Sequence, residues 1–221
     1  MKAIILAAGE GKRMKPLTLK VPKALLKFSG KTILDHIFDA LPGEVDEVIL
    51  VIGYLGERIK EYLGNSYKGR SVRYVIQGRV RGTADALLRC EQANIFSKGE
   101  RFLVVYGDEL PEREELKVCL DQPFAILSFR VTNPSQSGVI KIDSNRRILE
   151  IIEKPKEPSS DLVAGGVMVV DTNIFRYQPE RHSDGEYYFS SMLNQFIKDY
   201  PVYAVLGPSR PSLSSPGDLE G

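Results

Sequence analysis

The opening stretch of about 26 residues constrains this chain more than any other. An apolar run, Ala3-Ile4-Ile5-Leu6-Ala7, precedes a glycine loop, Gly9-Glu10-Gly11-Lys12-Arg13, and then Pro22-Lys23. Such a run predicts a buried strand, and the glycines predict its exit loop. The first 31 residues contain eight Lys or Arg and one acid, Glu10, although the formal charge of the whole chain is +1. This local excess of positive charge favours a site for a polyanion.

Gly9 and Gly11 allow a ligand to approach the backbone closely because neither carries a Cβ, and successive amides in such a turn can point at phosphate oxygens. Arg13 and Lys23 would add fixed positive charge. A basic loop is more often a solvated surface, so spacing alone does not establish a phosphate site. A dinucleotide fingerprint needs a third glycine where Met14 stands, so a nicotinamide or flavin site fits poorly.

Residues 6–18, continued by Pro22-Lys23-Ala24-Leu25-Leu26, resemble the N-terminal motif of the sugar-1-phosphate nucleotidyltransferases. In that family the motif wraps a nucleoside triphosphate. The arginine and lysine that match Arg13 and Lys23 contact its phosphates and the pyrophosphate leaving group. The family usually has Thr where Lys12 stands. The resemblance implies nucleotide contacts for Leu6, Ala7, Ala8, Gly9, Gly11 and Lys12.

Strand and helix patterns alternate after this motif. Helical spacing over 33–41 precedes a strand at 48–52, and a helix over 57–63 precedes a strand at 72–76. The alternation predicts an α/β fold with a doubly wound, mostly parallel, Rossmann-like central sheet and helices on both faces. His36 lacks a partner cluster, so we interpret it as a packed or surface residue rather than a metal ligand.

Residues 77–87 leave the predicted strand through glycines and begin a helix, with Thr83 as its predicted N-cap. Gln77 and Gly82 fall beyond the carboxyl end of that strand, where such sheets bind ligands. The Gln77 amide can pair with the adjacent N–H and C=O of uracil or thymine, and Gly82 leaves room for the base. A polar βα loop with a cap is the open alternative. The stretch resembles the family's base-recognition segment, which implies nucleotide contacts for Gln77, Gly82 and Thr83 and favours UTP or dTTP over GTP.

The predicted strand at 101–106 ends in Gly107-Asp108. A carboxylate at that place can hold a magnesium ion that bridges triphosphate oxygens, but Asp is also ordinary in a turn. Gly107-Asp108 matches the family's Gly-Asp, whose aspartate binds the metal. The resemblance therefore implies Asp108 as the ligand of Mg²⁺.

The second half of the chain is rich in strand patterns, which we expect to form a mixed or antiparallel, sugar-binding extension at the far wall of the cleft. After a helix over 112–120, strands are predicted at 124–131, 138–143, 148–152 and 163–171. Glu153-Lys154-Pro155 matches a family motif in which the glutamate contacts sugar hydroxyls and the lysine contacts the sugar phosphate. Alone, this tripeptide could be any surface turn and carries little weight. The resemblance further implies sugar contacts for Gly138, Gly166 and Glu186.

Departures from the family pattern concentrate in the last third of the chain. Ala164 replaces a common Asn, Ser191 a usual Asp, and the second metal-binding Asp aligns with Ser212. A hydroxyl is a weaker magnesium ligand than a carboxylate. Three accounts stay open: Asp218 serves instead, Asp108 suffices with triphosphate and water, or activity is weak. Residues 208–221, rich in Pro, Ser and Gly, are predicted to form a mobile tail.

Bulk properties bound the remaining expectations. We expect one domain over residues 1–221, with a nucleotide-binding half at 1–120 and a sugar-binding half at 121–207. The near-neutral charge disfavours nucleic acid, and no apolar run has the length for a membrane span. Cys90 and Cys119 form no Cys-x-x-Cys pair, which suits a reduced, cytoplasmic protein. A homo-oligomer stays open.

The expected reaction joins an NTP and a sugar 1-phosphate into an NDP-sugar and pyrophosphate, with Mg²⁺ as cofactor and Arg13, Lys23, Asp108 and Lys154 as the catalytic residues. Cytidylyl transfer to a phospho-alcohol such as phosphocholine and guanylyl transfer to mannose or heptose 1-phosphate are alternatives within the fold. A non-catalytic nucleotide-sugar-binding regulatory protein is an alternative of another class, motivated by Ser212. An NAD oxidoreductase fits least.

Overall fold

The computed structural model describes residues 1–208, Leu213 and residues 215–219. Within these residues the chain forms twelve β-strands and five α-helices. The strands are β1 (Lys2–Ala7), β2 (Lys27–Phe28), β3 (Lys31–Thr32), β4 (Glu47–Ile52), β5 (Ser66–Tyr67), β6 (Arg70–Ile76), β7 (Arg101–Tyr106), β8 (Ala125–Arg130), β9 (Gly138–Ile142), β10 (Ile148–Glu153), β11 (Leu162–Asp171) and β12 (Tyr203–Leu206). The helices are α1 (Ile33–Ala40), α2 (Gly56–Leu63), α3 (Thr83–Gln92), α4 (Arg113–Leu120) and α5 (Phe189–Asp199).

Four parallel strands form the centre of the main sheet, in the order β6, β4, β1, β7. Ile4 of β1 lies opposite Ile49 of β4 on one side and opposite Val104 of β7 on the other. The chain therefore adds strands on one side of β1 and then crosses to the other side. The carboxyl ends of β1 and β7 border this switch point, which is where open α/β sheets bind ligands. The predicted doubly wound, mostly parallel sheet is confirmed.

Strand β11 joins the parallel centre to the rest of the sheet. Its second half runs antiparallel to β7, with Val167 opposite Val105. Its first half lies between β8 and β9, where Val163 is opposite both Phe129 and Val139. Strand β10 pairs antiparallel with β9, and β12 pairs in parallel with β8. The predicted mixed extension is confirmed, whereas β12 had no counterpart among the predicted strands.

Hydrophobic side chains cover both faces of the sheet, as the predicted helices on two faces require. Ile4 and Ile5, neighbours on β1, belong to different clusters because successive strand residues point to opposite faces. One cluster receives α1, α2 and α4 through Ile33, Phe38, Ile59, Leu63 and Leu116. The other receives α3 and α5 through Leu87, Cys90, Met192 and Phe196. No helix in the described ranges has the length and apolar character that crossing a membrane would need.

The start of α1 is fixed by a reciprocal cap. The Thr32 hydroxyl accepts the Asp35 N–H, and the Asp35 carboxylate accepts the Thr32 N–H, both at 3.0 Å. The hydroxyls of Tyr62 and Tyr67 also donate to Asp35. Burial raises the pKa of Asp35, but the hydrogen bonds from Tyr67, Thr32 and Tyr62 outweigh it and hold this pKa well below its usual range. His36 packs as predicted, with Nε2 2.9 Å from a backbone carbonyl oxygen.

Both cysteines are buried, unpaired thiols. Cys90 lies on α3 and Cys119 on α4, at opposite faces of the sheet. Burial raises the pKa of each thiol to about 12. Neither thiol is therefore a candidate nucleophile at neutral pH.

Candidate active site

The loop after β1 folds around the buried side chain of Thr18. Its hydroxyl donates to the Gly11 carbonyl oxygen at 2.9 Å, and the Met14 N–H donates to the same oxygen at 2.9 Å. Gly11 has φ 61°, and a Cβ there would lie 2.9 Å from a Thr18 methyl carbon and 3.1 Å from the Lys23 Cβ. Only glycine fits this turn without strain. The turn brings Lys23 against the loop.

The outward side of this loop is open. A Cβ at Gly9 would meet no atom within 4 Å, so its backbone can be approached from outside. Arg13 is exposed and makes no hydrogen bond or ion pair with the described part of the chain. The Nζ atom of Lys12 lies 3.7 Å from Oε2 of Glu10. The loop thus presents backbone and an uncommitted guanidinium on the same exposed turn.

Lys23 and Asp108, which are 85 residues apart in sequence, meet at the switch point of the sheet. Their Nζ and Oδ2 atoms are 2.6 Å apart, with the lysine side chain 16% exposed and the aspartate side chain 44% exposed. The neighbouring Gly107 N–H donates to the Leu6 carbonyl oxygen at 2.9 Å. A Cβ at Gly107 would lie 2.8 Å from that oxygen, so the small residue lets β7 end directly beside β1.

The ends of β4 and β6 join the same edge through backbone contacts. The Tyr54 N–H donates to the Ala8 carbonyl oxygen at 3.2 Å, and the Gln77 N–H donates to the Ile52 carbonyl oxygen at 2.8 Å. A Cβ at Gly53 would lie 2.9 Å from the Ala8 oxygen. The predicted nucleotide-binding residues of the first loop and Gln77 therefore share one edge of the sheet.

The side chain of Gln77 is committed more fully than the sequence indicates. The residue is 3% exposed, and its amide nitrogen donates to the Gly82 carbonyl oxygen at 3.2 Å and to Asp85 Oδ2 at 2.8 Å. The expected pairing of this amide with both an N–H and a C=O of the base therefore needs correction. Both amide hydrogens are used by the loop and by the first turn of α3, and only the oxygen is left for a base.

The segment around Tyr187 lies against the base-recognition loop. Gly82 has φ 103°, and a Cβ there would lie 2.8 Å from the Tyr187 nitrogen. The Tyr187 N–H donates to the Arg81 carbonyl oxygen, and the Ala84 N–H donates to the Tyr187 carbonyl oxygen. Gly82 thus permits the close approach of the Tyr187 backbone. The sequence had instead predicted that Gly82 leaves room for the base.

The predicted N-cap role of Thr83 is wrong. The N-cap of α3 is Gly82, and Thr83 is the first residue of the helix. Its hydroxyl accepts the Phe189 N–H at 2.9 Å and so ties the start of α3 to the start of α5. The Thr83 hydroxyl thus accepts an N–H from a residue more than 100 positions away, and not an N–H from the first turn of its own helix.

Lys154 lies on a tight turn at the end of β10, with φ 43°. Its backbone N–H donates to the Ser137 carbonyl oxygen at 3.0 Å. Its Nζ atom is 3.2 Å from Asp184 Oδ2, bonds to the Tyr188 hydroxyl and lies 4.3 Å from the Tyr188 ring centroid. The ammonium group is therefore held by a carboxylate, a hydroxyl and an aromatic face.

Three of the predicted sugar-contact positions lie close to Lys154 or to β11. Glu153 Oε2 accepts the Ser190 hydroxyl at 2.6 Å, and a Cβ at Gly138 would lie 3.3 Å from the same oxygen. The Gly166 N–H donates to Glu109 Oε1 at 2.7 Å. Glu186 differs, because its carboxylate is exposed and makes no hydrogen bond or ion pair with the described residues.

Two residues beside Lys154, Asp184 and Tyr188, had no predicted role. Desolvation raises the pKa of Asp184, but hydrogen bonds from Tyr188, the Glu186 N–H, His182 and Lys154 outweigh it, so this pKa lies well below its usual range. Burial and the bond to Asp184 raise the pKa of Tyr188. His182 Nδ1 lies 3.1 Å from Asp184 Oδ1, so a histidine outside every motif borders the site in space.

A family model described as nucleotidyl transferase matches residues 2–208. The chain belongs to the nucleotidyl transferase family. This membership confirms the resemblance identified from the amino-terminal motif. Family members generally depend on a divalent metal. Among the described residues, no group of three or more His, Cys, Asp or Glu could hold such an ion alone.

Named relatives of this chain occur in Methanocaldococcus jannaschii and Haloferax volcanii. The bifunctional protein GlmU of Methanocaldococcus jannaschii is 32% identical over 207 residues, covering 93% of this chain and 49% of the relative. The UTP–glucose-1-phosphate uridylyltransferase AglF of Haloferax volcanii is 32% identical over 210 residues, covering 90% of this chain and 84% of AglF. The chain thus spans about half the length of its GlmU relatives.

Two solved nucleotidyl transferase structures share the fold. A Bacillus anthracis protein described as a glucose-1-phosphate thymidylyltransferase, crystallised with sucrose, has a TM-score of 0.83 at 27% identity and covers 100% of this chain and 92% of its own. A UDP-glucose pyrophosphorylase complexed with UDP-glucose has a TM-score of 0.85 at 21% identity, covering 99% of this chain and 95% of its own. The second likeness concerns the fold alone.

Proposed function

We propose that this protein transfers a nucleotidyl group from an NTP to a sugar 1-phosphate and releases pyrophosphate. The observation that carries the proposal is the meeting of Lys23 and Asp108 at the switch point, beside the open glycine loop. The activity named for AglF, which the chain matches over 84% of its length, supports the same class of reaction.

The nucleophile in this reaction is an oxygen of the sugar phosphate. It attacks the α-phosphorus in line, a new O–P bond forms, and the bond to the pyrophosphate oxygen breaks. A phosphate monoester has a second pKa of about 6, so the nucleophile is already an anion at neutral pH. No general base is required, and the protein contributes positioning and charge neutralisation.

The positive groups divide between the two substrates. Arg13, which is exposed and uncommitted, and Lys23 would neutralise the triphosphate and the departing pyrophosphate. Lys154, at the end of β10, would hold the sugar phosphate. Leu6, Ala7, Ala8, Gly9, Gly11 and Lys12 would line the triphosphate, and Gly138, Glu153, Gly166 and Glu186 would line the sugar.

We propose Asp108 as the ligand of Mg²⁺. The exposed carboxylate of Asp108 beside the glycine loop fits this ion, because Mg²⁺ commonly binds one or two carboxylates together with substrate phosphates and water. When bound, the ion would neutralise charge on the triphosphate. The further candidate Asp218 accepts the Ser215 N–H at 2.7 Å, and Ser212 lies outside the described residues.

We further propose that residues 1–120 bind the nucleotide and that residues 121–207 bind the sugar. Lys23 and Asp108 belong to the first range, and Lys154 with its partners Asp184 and Tyr188 belongs to the second. The tail predicted at 208–221 lies partly outside the described residues. Within them, Leu213 is 3% exposed and packs in the core.

A screen of common NTPs against a panel of sugar 1-phosphates, read by pyrophosphate release with Mg²⁺, tests the proposal. We expect release only when both substrates are present, with UTP or dTTP as the better donor. Release with phosphocholine and CTP would instead identify the cytidylyltransferase alternative. Nucleotide binding without release for any pair would identify the non-catalytic alternative and overturn the proposal.

A further inference from the structure

A chain of three polar side chains stands behind the proposed base site. Gln77 Nε2 donates to Asp85 Oδ2 at 2.8 Å, and Arg89 Nη2 donates to Asp85 Oδ1 at 3.2 Å. Asp85 and Arg89 lie one turn apart on α3, so the helix holds the carboxylate in place. Asp85 lies within the stretch 77–87 and Arg89 just beyond it, and neither has a role assigned above.

This arrangement decides which way the Gln77 amide faces. An ionised carboxylate and a backbone carbonyl are acceptors only, so the group that faces both Asp85 and the Gly82 oxygen must be the NH₂. The amide oxygen then points elsewhere, and it makes no hydrogen bond with the described residues. Because Gln77 is only 3% exposed, water does not replace these acceptors, and the orientation of the amide depends on them.

We propose that Asp85 is a positioning residue that sets base selectivity, because it fixes Gln77 with an acceptor toward the nucleotide. This inference rests on the proposed function. An acceptor there pairs with a base whose ring nitrogen carries a hydrogen, as N3 of uracil and thymine does. Cytosine is nearly the same size, but its N3 has a lone pair that faces the Gln77 oxygen without a hydrogen bond. The site therefore favours uridine and thymidine nucleotides over cytidine nucleotides.

The selectivity can be measured as equilibrium binding, without turnover. We expect calorimetry to give a Kd for UTP at least about tenfold below that for CTP in the wild-type protein, the order of a buried acceptor left without a donor. In Asp85→Asn the new amide can donate to the Gln77 oxygen, which lets Gln77 turn its NH₂ toward the base. The UTP to CTP ratio should then fall to within about threefold, and Asp85→Ala should lower it in the same direction.

Two controls separate selectivity from a structural effect of losing an acid in a helix. Glu114→Gln removes an acid from the first turn of α4 and should leave the UTP to CTP ratio unchanged. In a Gln77→Ala background, Asp85→Asn should change the ratio no further, since the residue through which it acts is gone.

The outcomes also separate this inference from the proposed function. Wild-type protein that binds UTP and CTP equally, or an Asp85→Asn variant that keeps the full ratio, overturns the role of Asp85 and leaves the transferase proposal standing. Wild-type protein that binds no nucleoside triphosphate overturns both.

Discussion

Lysines occupy both ends of the candidate site, and each is paired with a carboxylate of a different kind. Lys23 pairs with Asp108, which is itself the proposed ligand of Mg²⁺. Lys154 pairs with Asp184, for which no substrate contact is proposed. In the proposed roles Asp108 binds Mg²⁺ and Lys23 binds the triphosphate, so the binding of metal and substrate would separate the first pair. The second pair can persist while Lys154 binds a phosphate.

The two ends also differ in what holds them. The Lys23 end rests on adjacent strand ends, where Gly107 and Gly53 allow backbone contacts with Leu6 and Ala8. The Lys154 end rests on side chains from a loop, chiefly Asp184 and Tyr188. The Lys23 end is therefore positioned by the sheet itself, whereas the Lys154 end is positioned by a network that single substitutions can loosen.

The largest effect is expected on turnover, at the Lys23 end. Lys23→Ala should lower turnover at saturating substrates by about 100-fold or more, because a charge-stabilising contact to the leaving group is lost. Steady-state kinetics with both substrates measures this. Lys27→Ala, which removes an exposed lysine from β2, is the control and should change turnover less than twofold, an order typical of a surface charge. Near-normal turnover in Lys23→Ala would contradict the proposed role.

The contact between the two ends can be broken at Gly82. Gly82→Ala should lower the free energy of unfolding by about 3 kcal/mol, because the added methyl group meets the Tyr187 backbone and φ is positive. Urea unfolding followed by circular dichroism gives the number. Gly78→Ala, with no atom within 4 Å of the new Cβ, should change it by less than about 0.5 kcal/mol. Equal effects of the two substitutions would rule out the Tyr187 contact as the cause.

Two aspartates with lowered pKa values extend the comparison to stability. Asp35 lies on α1, in the half of the chain that contains Lys23, and is 8% exposed. The side chain of Asp184, at the Lys154 end, is 39% exposed. Asp35→Asn should cost about 2 kcal/mol at pH 7, the order of hydrogen bonds to a buried charged group. Asp184→Asn should cost less than about 1 kcal/mol.

The sign of the pH dependence follows from the direction of the shift. Because the folded pKa of Asp35 lies below its unfolded value, its contribution to stability is present above about pH 4 and is lost as the pH falls through the folded pKa. The difference between wild type and Asp35→Asn should therefore shrink below pH 4 in urea unfolding series. A difference that grows toward low pH would contradict this interpretation of the Tyr62 and Tyr67 hydrogen bonds.

The smallest effect is expected on substrate affinity at the Lys154 end. Asp184→Asn should raise the KM for the sugar 1-phosphate about fivefold, the order of one partly exposed ion pair, because Lys154 is held less firmly. The KM for the NTP and the turnover number should stay near wild type. A lower KM for the sugar 1-phosphate would mean that Asp184 competes with the substrate for Lys154, and the holding role would be wrong.

Most of the parallel half could be predicted from sequence. The strand at 101–106 matches β7, and the helix at 57–63 begins one residue earlier, at Gly56. These elements have strong periodic patterns and short connections, so local signals suffice. The four-residue strand β12 was missed because its identity depends on pairing with β8, about 80 residues earlier in the chain.

Errors at the site have the same origin. Thr is a residue type that commonly caps helices, but the Thr83 hydroxyl accepts the N–H of the distant Phe189, and this contact decides its role. Gln77 offers a donor and an acceptor in isolation, but Asp85 and Gly82 take both amide hydrogens. Asp184 and His182 gave no signal, because acids and histidines in a loop have no period. Lys154, the partner of Asp184, is 30 residues away in the sequence.

The amino-acid sequence by itself determined the alternation of strands and helices, the glycine turn after β1 and the placement of Asp108 beyond β7, because these depend on neighbouring residues and on the burial of regular apolar patterns. Only the tertiary structure decided which partner each charged or amide group takes. A hydrogen bond needs atoms within about 3 Å, and for Lys23, Gln77 and Lys154 that distance is set by how separate strands and loops pack together.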